Sequence, residues 1–155
     1  MTSKPAKTYM LSPEVQNYPT QKPHIYLNTM ILPAYLDNIH LMGRISDFEI
    51  KQFKYQQWAQ SPRTMFKHTL AVMTAKASKD IEGEYTASVI FNNFEVCGKE
   101  FKVDAVCILR NGNGDKTTRF QKSFHWNGKD FEQLVALHEQ ALQQLAEEMA
   151  NLARN

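Results

Sequence analysis

At 155 residues the chain is long enough to bury a core of its own and short enough to form one domain. Apolar residues make up 43% and aromatic residues 11%, which excludes a disordered or fibrous chain. A net charge of +2 is too mild to argue for a nucleic-acid partner, and no apolar run is long enough to cross a bilayer.

The first residues are polar, Thr2 to Lys7, without a secretory apolar segment. Residues 1–8 read as a flexible tether ahead of a single domain over 9–155. Tyr9–Leu11 reads as a short strand, followed by the proline-punctuated connection "SPEVQNYPTQKP". Ile25–Leu32 is the first long strand, and Pro33 stops it because proline has no ladder donor. Two large side chains, Tyr35 and Leu36, follow the breaker before Asp37 and Asn38 turn the chain. "DFEIKQF", Asp47–Phe53, reads as a half-buried strand with Phe48 and Ile50 on its apolar side.

The period then changes. In "WAQSPRTMFKHTLAVMTAKAS", Ser61 can cap a helix and Pro62 sits in its first turn, where a missing N–H costs nothing. Phe66, Leu70 and Met73 recur at helical spacing. A meander follows, with strands over Tyr85–Phe94, Glu100–Arg110 and Lys116–Trp126. Its turns are Glu95–Lys99, which contains Gly98, and Asn111–Asp115, "NGNGD". Asp130 opens a final helix, with Gln133 placed for a capping box. The stripe of this helix is Phe131, Val135, Leu142, Leu145, Met149 and Leu152, with His138 in line. A mixed sheet of about five strands with two main helices makes an α/β sandwich the expected architecture.

No catalytic, metal or cofactor site is expected. "NGNGD" resembles the start of an EF-hand, but the twelfth loop position is Lys122 instead of a bidentate Glu, so a hairpin turn accounts for it. His24, His40, His68, His125 and His138 show no zinc spacing, and no G-x-S-x-G elbow is present. His138 reads as a satisfied histidine at the core's edge. Cys97, in a turn, and Cys107, opposite about Ile90, are out of register for a disulfide, so two free thiols are expected. Lys51, Lys54, Arg63 and Lys67 form the densest basic group, which a solvated surface explains. Tyr35, Leu36, Tyr55 and Trp58 lie at element boundaries. They either close the core or form a partner or oligomer surface.

"TYML", "ILPAYLDN" and "WAQSP", followed by the meander and the long last helix, resemble the ABC-type transport auxiliary lipoproteins. That family includes the lipoprotein of the paraquat-inducible system, and the likeness runs from about Lys7 to Leu152. The resemblance implies a three-layer α/β sandwich similar to the N-terminal domain of TolB. It also implies a non-enzymatic periplasmic lipoprotein, held to the outer membrane by an acylated N-terminal cysteine. Such a protein docks the MCE component of an ABC lipid transporter, and its relatives assemble into homo-oligomeric rings. The acylated cysteine itself is absent, and Met1 stands where it is expected. Two other readings stay open: a periplasmic domain that carries lipid, and a cytosolic binding module for an unrelated ligand.

Overall fold

A computed structural model of the chain describes residues 5–155, so Met1 and its expected exchange for a cysteine lie outside the described residues. The elements in chain order are β1 (Lys7–Tyr9), β2 (Ile25–Ile31), β3 (His40–Arg44), β4 (Ile50–Trp58), α1 (Pro62–Ala77), β5 (Tyr85–Cys97), β6 (Glu100–Asn111), β7 (Gly114–His125) and α2 (Phe131–Arg154). All seven strands join one mixed sheet, in the order β1-β4-β3-β5-β6-β7, with β2 also paired to β5.

β5 organises the sheet because it is long enough to take two partners on one side. β2 runs parallel to its first half, Tyr85–Ile90, and β3 runs parallel to its end at Val96 and Cys97. β2 and β3 therefore follow each other in one direction along the same side of β5, separated by the turn that Pro33 opens. On the other side, β6 pairs antiparallel with β5 over its whole length, and β7 pairs with β6. A register shift between Phe91 and Asn93 breaks the two-residue alternation, so Phe91 and Phe94 both reach the core.

That core lies on one face of the sheet. Ala87, Val89, Phe91, Phe94 and Val96 of β5 face the same way as Phe101, Val103, Ala105, Cys107 and Leu109 of β6, and all are buried. α2 covers them with a stripe wider than the sequence suggests. Leu134, Ala141, Ala146 and Ala150 are buried beside Val135, Leu142, Leu145 and Met149, while Phe131 and Leu152 are only partly covered. α1 packs on the same side, for Phe66 of α1 and His138 of α2 both meet the Phe94 ring, with centroids 5.1 and 5.3 Å away. The mixed α/β sandwich and its two helices agree with expectation. The far face of β5, β6 and β7 carries exposed polar side chains such as Lys102, Arg119 and Gln121.

Other boundaries also differ. The first strand is Lys7–Tyr9 rather than Tyr9–Leu11, since Lys7, Thr8 and Tyr9 pair with Gln56, Gln57 and Trp58. Lys7 and Thr8 therefore belong to the sheet, not to a tether. β3 was not expected at all: five residues with Gly43 at an inward position carry little periodic signal. That glycine is required by close approach, because a Cβ there would stand 2.8 Å from Val96 Cγ1. β5 continues through Cys97, and the turn narrows to Gly98-Lys99, with Gly98 at φ +61°. "NGNGD" closes the β6–β7 hairpin, where Asn111 pairs with Gly114 and its Oδ1 accepts from Asn113 N at 2.8 Å.

Both helix starts are capped, α2 by Asp130 as the sequence suggests and α1 with help from a residue the sequence does not point to. Ser61 donates its hydroxyl to Asp37 Oδ1 (2.7 Å), and that oxygen also accepts from Arg63 N (3.1 Å). Asp37, distant in sequence, thus satisfies an amide of the first turn of α1. At α2, Asp130 Oδ1 accepts from Gln133 N (3.2 Å), but Gln133 Oε1 reaches back to Asn127 N (3.4 Å) instead of closing a box on Asp130.

Candidate functional site

The turn after Pro33 sends neighbouring side chains to opposite faces. Leu36 enters the core and is 7% exposed. Tyr35 crosses to the far face and donates its hydroxyl to Glu95 Oε2 at 2.8 Å. Arg44 of β3 donates Nε to Glu95 Oε1 (2.7 Å), Nη2 to the Tyr35 oxygen (3.0 Å) and Nη1 to the Asp47 carbonyl (2.9 Å). Glu95 is 1% exposed, so its charge is buried between these two donors. The hydrogen bond to Glu95 raises the Arg44 pKa, and burial followed by the Glu95 hydrogen bond raises that of Tyr35. Both donors therefore keep their protons throughout the physiological range. Each carboxylate oxygen is engaged, which suits a strut better than an acid or base.

The strut aims something the sequence reading misplaced. Ile45–Glu49 form the tip of the β3–β4 hairpin, closed by Ile45 N to Glu49 O (2.9 Å) and held at Asp47 by Arg44. Phe48 is 99% exposed there, with Ile45 and Ile50 also exposed beside it. The half-buried strand expected over Asp47–Phe53 is corrected to Ile50–Trp58, because Ser46 and Asp47 turn the chain. Ser46 Oγ accepts from Phe48 N at 3.3 Å, a local bond that favours a turn over a ladder. Ser-Asp between Arg44 and Phe48 was the available signal.

Of the four residues left open between core and partner surface, two are buried in the core. Trp58 is 3% exposed and meets the Phe66 and His138 rings edge to face at 5.3 and 5.2 Å. Leu36 packs in the same core. Tyr35 and Tyr55 are half-buried. Tyr55 lines a cleft of about 390 Å³ with Tyr9 and the start of α2. The structure does not bring the four together into one patch.

His138 sits inside an aromatic cluster formed by Trp58, Phe66, Phe94 and Phe101, the last with its centroid 4.2 Å away. Its Nδ1 lies 2.7 Å from the Leu134 carbonyl, which makes Nδ1 the protonated nitrogen. These rings fill the space between sheet and helices where an acyl chain would otherwise lie. Among the described residues no group of His, Cys, Asp and Glu is close enough to hold a metal ion.

Both cysteines are free, Cys107 buried and Cys97 half-buried. Cys107 pairs with Val89 and Cys97 with Glu100, so register keeps them apart as expected. Burial pushes the Cys107 thiol up to about 12 and raises Cys97 less. At pH 8 an aromatic disulfide reagent should leave Cys107 unmodified in the native protein, label Cys97 slowly, and count two thiols after unfolding. Rapid native labelling of Cys107 would contradict its burial.

A sequence model described as the ABC-type transport auxiliary lipoprotein component matches residues 9–150. The chain belongs to this family. The auxiliary lipoprotein domain shares its fold with the crystal structure of an uncharacterized protein, at a TM-score of 0.77 and 14% identity, covering 96% of this chain and 98% of that one. It is also similar to protein XCC0632 from Xanthomonas campestris, which carries the family label DUF330, at a TM-score of 0.65 and 16% identity over 94% and 93% of the two chains. No curated protein matches the chain in sequence. An auxiliary lipoprotein of an ABC-type transporter works at the cell envelope in association with that transporter. No helix among the described residues is long and apolar enough to cross a membrane.

Proposed function

We propose that the protein is a non-enzymatic periplasmic lipoprotein that docks the MCE component of an ABC lipid transporter at the outer membrane. Membership of a transport auxiliary family supports the adaptor role. The observation that carries docking is the hairpin tip, where Ile45, Phe48 and Ile50 stand exposed on a turn that Arg44 and Glu95 hold in place. A fully exposed phenylalanine on a braced turn contributes nothing to its own fold, and it can bury its ring in a partner at little cost in ordering. Tyr35, half-buried beside the strut, and Tyr55 remain candidates for flanking contacts, and ring assembly would present several tips to one partner.

Co-purification of the lipidated full-length protein with the MCE component of its own transporter tests the reading. Phe48→Asp should weaken the complex at least about tenfold while leaving the melting temperature unchanged. Failure of the wild-type protein to bind would remove the docking role, and equal binding by Phe48→Asp would move the contact away from the tip. The lipid-carrying alternative predicts a stoichiometric phospholipid in native mass spectra, and the filled core speaks against it.

A further inference from the structure

A second surface lies on the opposite side of the β2–β3 line from β5. β3 has β4 as its other neighbour, but β2 pairs only with β5 among the described residues, so its second edge is open. An open edge presents unpaired N–H and C=O groups from alternate residues. Beside it a cleft of about 560 Å³ opens to the surface where β2 packs against α1. Leu27 and Met30, buried on the helix side, line this cleft together with Tyr26, which is 55% exposed on the far side. Side chains of one strand alternate faces, so a cleft that touches both faces wraps the strand's edge.

The opposite wall is basic. Arg63, Lys67 and His68 project from α1 into the cleft, and none of the residues lining it is acidic. Arg63 is 64% exposed and forms a long ion pair with Asp37, Nε to Oδ2 3.6 Å, which leaves its remaining guanidinium donors for a ligand. Lys67 is exposed beside it. His68 is held in position by a contact of 2.7 Å between Nε2 and the Gln16 carbonyl. A helix lying along an open strand, with an apolar floor between them, is the arrangement into which an extended peptide adds as a further strand.

We infer that the α1–β2 cleft binds an extended acidic segment of a partner protein, which pairs its backbone with the free edge of β2 and its carboxylates with Arg63 and Lys67. Charge selects this occupant. A second copy of the chain joined β2 to β2 would bring two basic walls together, and β2 itself, "IYLNTMI", has no charge to offset them. A lipid headgroup would meet the basic wall but leave the strand edge unpaired. This surface is separate from the hairpin tip, and its occupancy does not depend on the docking role proposed above.

The test is fluorescence polarisation with labelled peptides of the same seven residues' length as β2. A peptide alternating glutamate and valine should bind in a salt-dependent way, and its lysine–valine counterpart at least about tenfold more weakly. Methylating the backbone nitrogens on one edge of the acidic peptide should cost about tenfold, because the strand hydrogen bonds are lost. Lys67→Glu, at an exposed position, should weaken the acidic peptide about tenfold and strengthen the lysine–valine peptide. Absence of binding, equal affinity for both charges or indifference to methylation would overturn the inference. So would tighter binding to vesicles of phosphatidylglycerol and phosphatidylethanolamine, or a self-association that Tyr26→Lys abolishes.

Discussion

Replacing Arg44 by alanine is expected to destabilise the protein by about 3 kcal/mol, the lower end of the range for breaking a buried ion pair. Glu95, 1% exposed in the intact protein, would keep only the Tyr35 hydroxyl as a partner. The Arg44 side chain itself is 29% exposed, so water entering the vacated space offsets part of the loss. The sign of a second substitution separates charge from packing. Arg44→Met combined with Glu95→Leu removes both charges and should recover most of the stability, whereas Glu95→Leu alone strands the guanidinium only where water can reach it. Tyr35→Phe removes two hydrogen bonds, one donated to Glu95 and one accepted from Arg44, and should cost about 2 kcal/mol after discounting for its partial exposure. Urea denaturation measures all four, and an unchanged midpoint for Arg44→Ala would refute the strut. Arg44→Ala also frees the Asp47 carbonyl, so it should weaken partner binding through the tip even at temperatures where the domain stays folded.

The second large effect is acid destabilisation through His138. Burial in the aromatic cluster, opposed by the Leu134 hydrogen bond, lowers its pKa from 6.5 to about 4. The unfolded chain takes up a proton near pH 6.5 and the folded protein takes up none until about pH 4. A depressed histidine pKa means that stability is intact above 6.5 and falls as the pH drops toward 4. The loss from this group approaches about 3 kcal/mol and then levels off. His138→Phe keeps a ring in the cluster and should flatten the curve in that window. Denaturation midpoints at pH 7 and pH 4.5 that shift equally in wild type and variant would show that His138 does not carry the effect.

How much of this could be read beforehand depended on the periodic signal each segment carries. α2 repeats its apolar stripe over 24 residues, so its type and its cap at Asp130 were plain from spacing. β6 alternates strictly from Phe101 to Leu109, and its partners β5 and β7 follow from the turn at Gly98 and the turn "NGNGD". β3 was invisible because Gly43 offers no side chain to count, and only contact with Val96 and Phe53 explains why glycine is there. Phe48 was misplaced for the opposite reason: an aromatic residue counts as buried in any pattern, although here it sits on a turn. Tyr35 and Glu95 are 60 residues apart, and nothing local links them. Burial of a carboxylate by a distant tyrosine and arginine is a tertiary fact. The free edge of β2 belongs to the same class, since it exists only because β3 takes the neighbouring place along β5.

The attachment of β1 has a mechanical meaning. Three rungs of parallel ladder, from Lys7–Gln56 to Tyr9–Trp58, join the start of the described chain to the rest of the sheet. A load applied through the start of the chain reaches the sheet at these rungs. Tension along β1 shears the three rungs at once, while tension across the sheet peels them singly and at lower force. The direction of a pull on that end therefore decides whether the rungs hold together or open one by one.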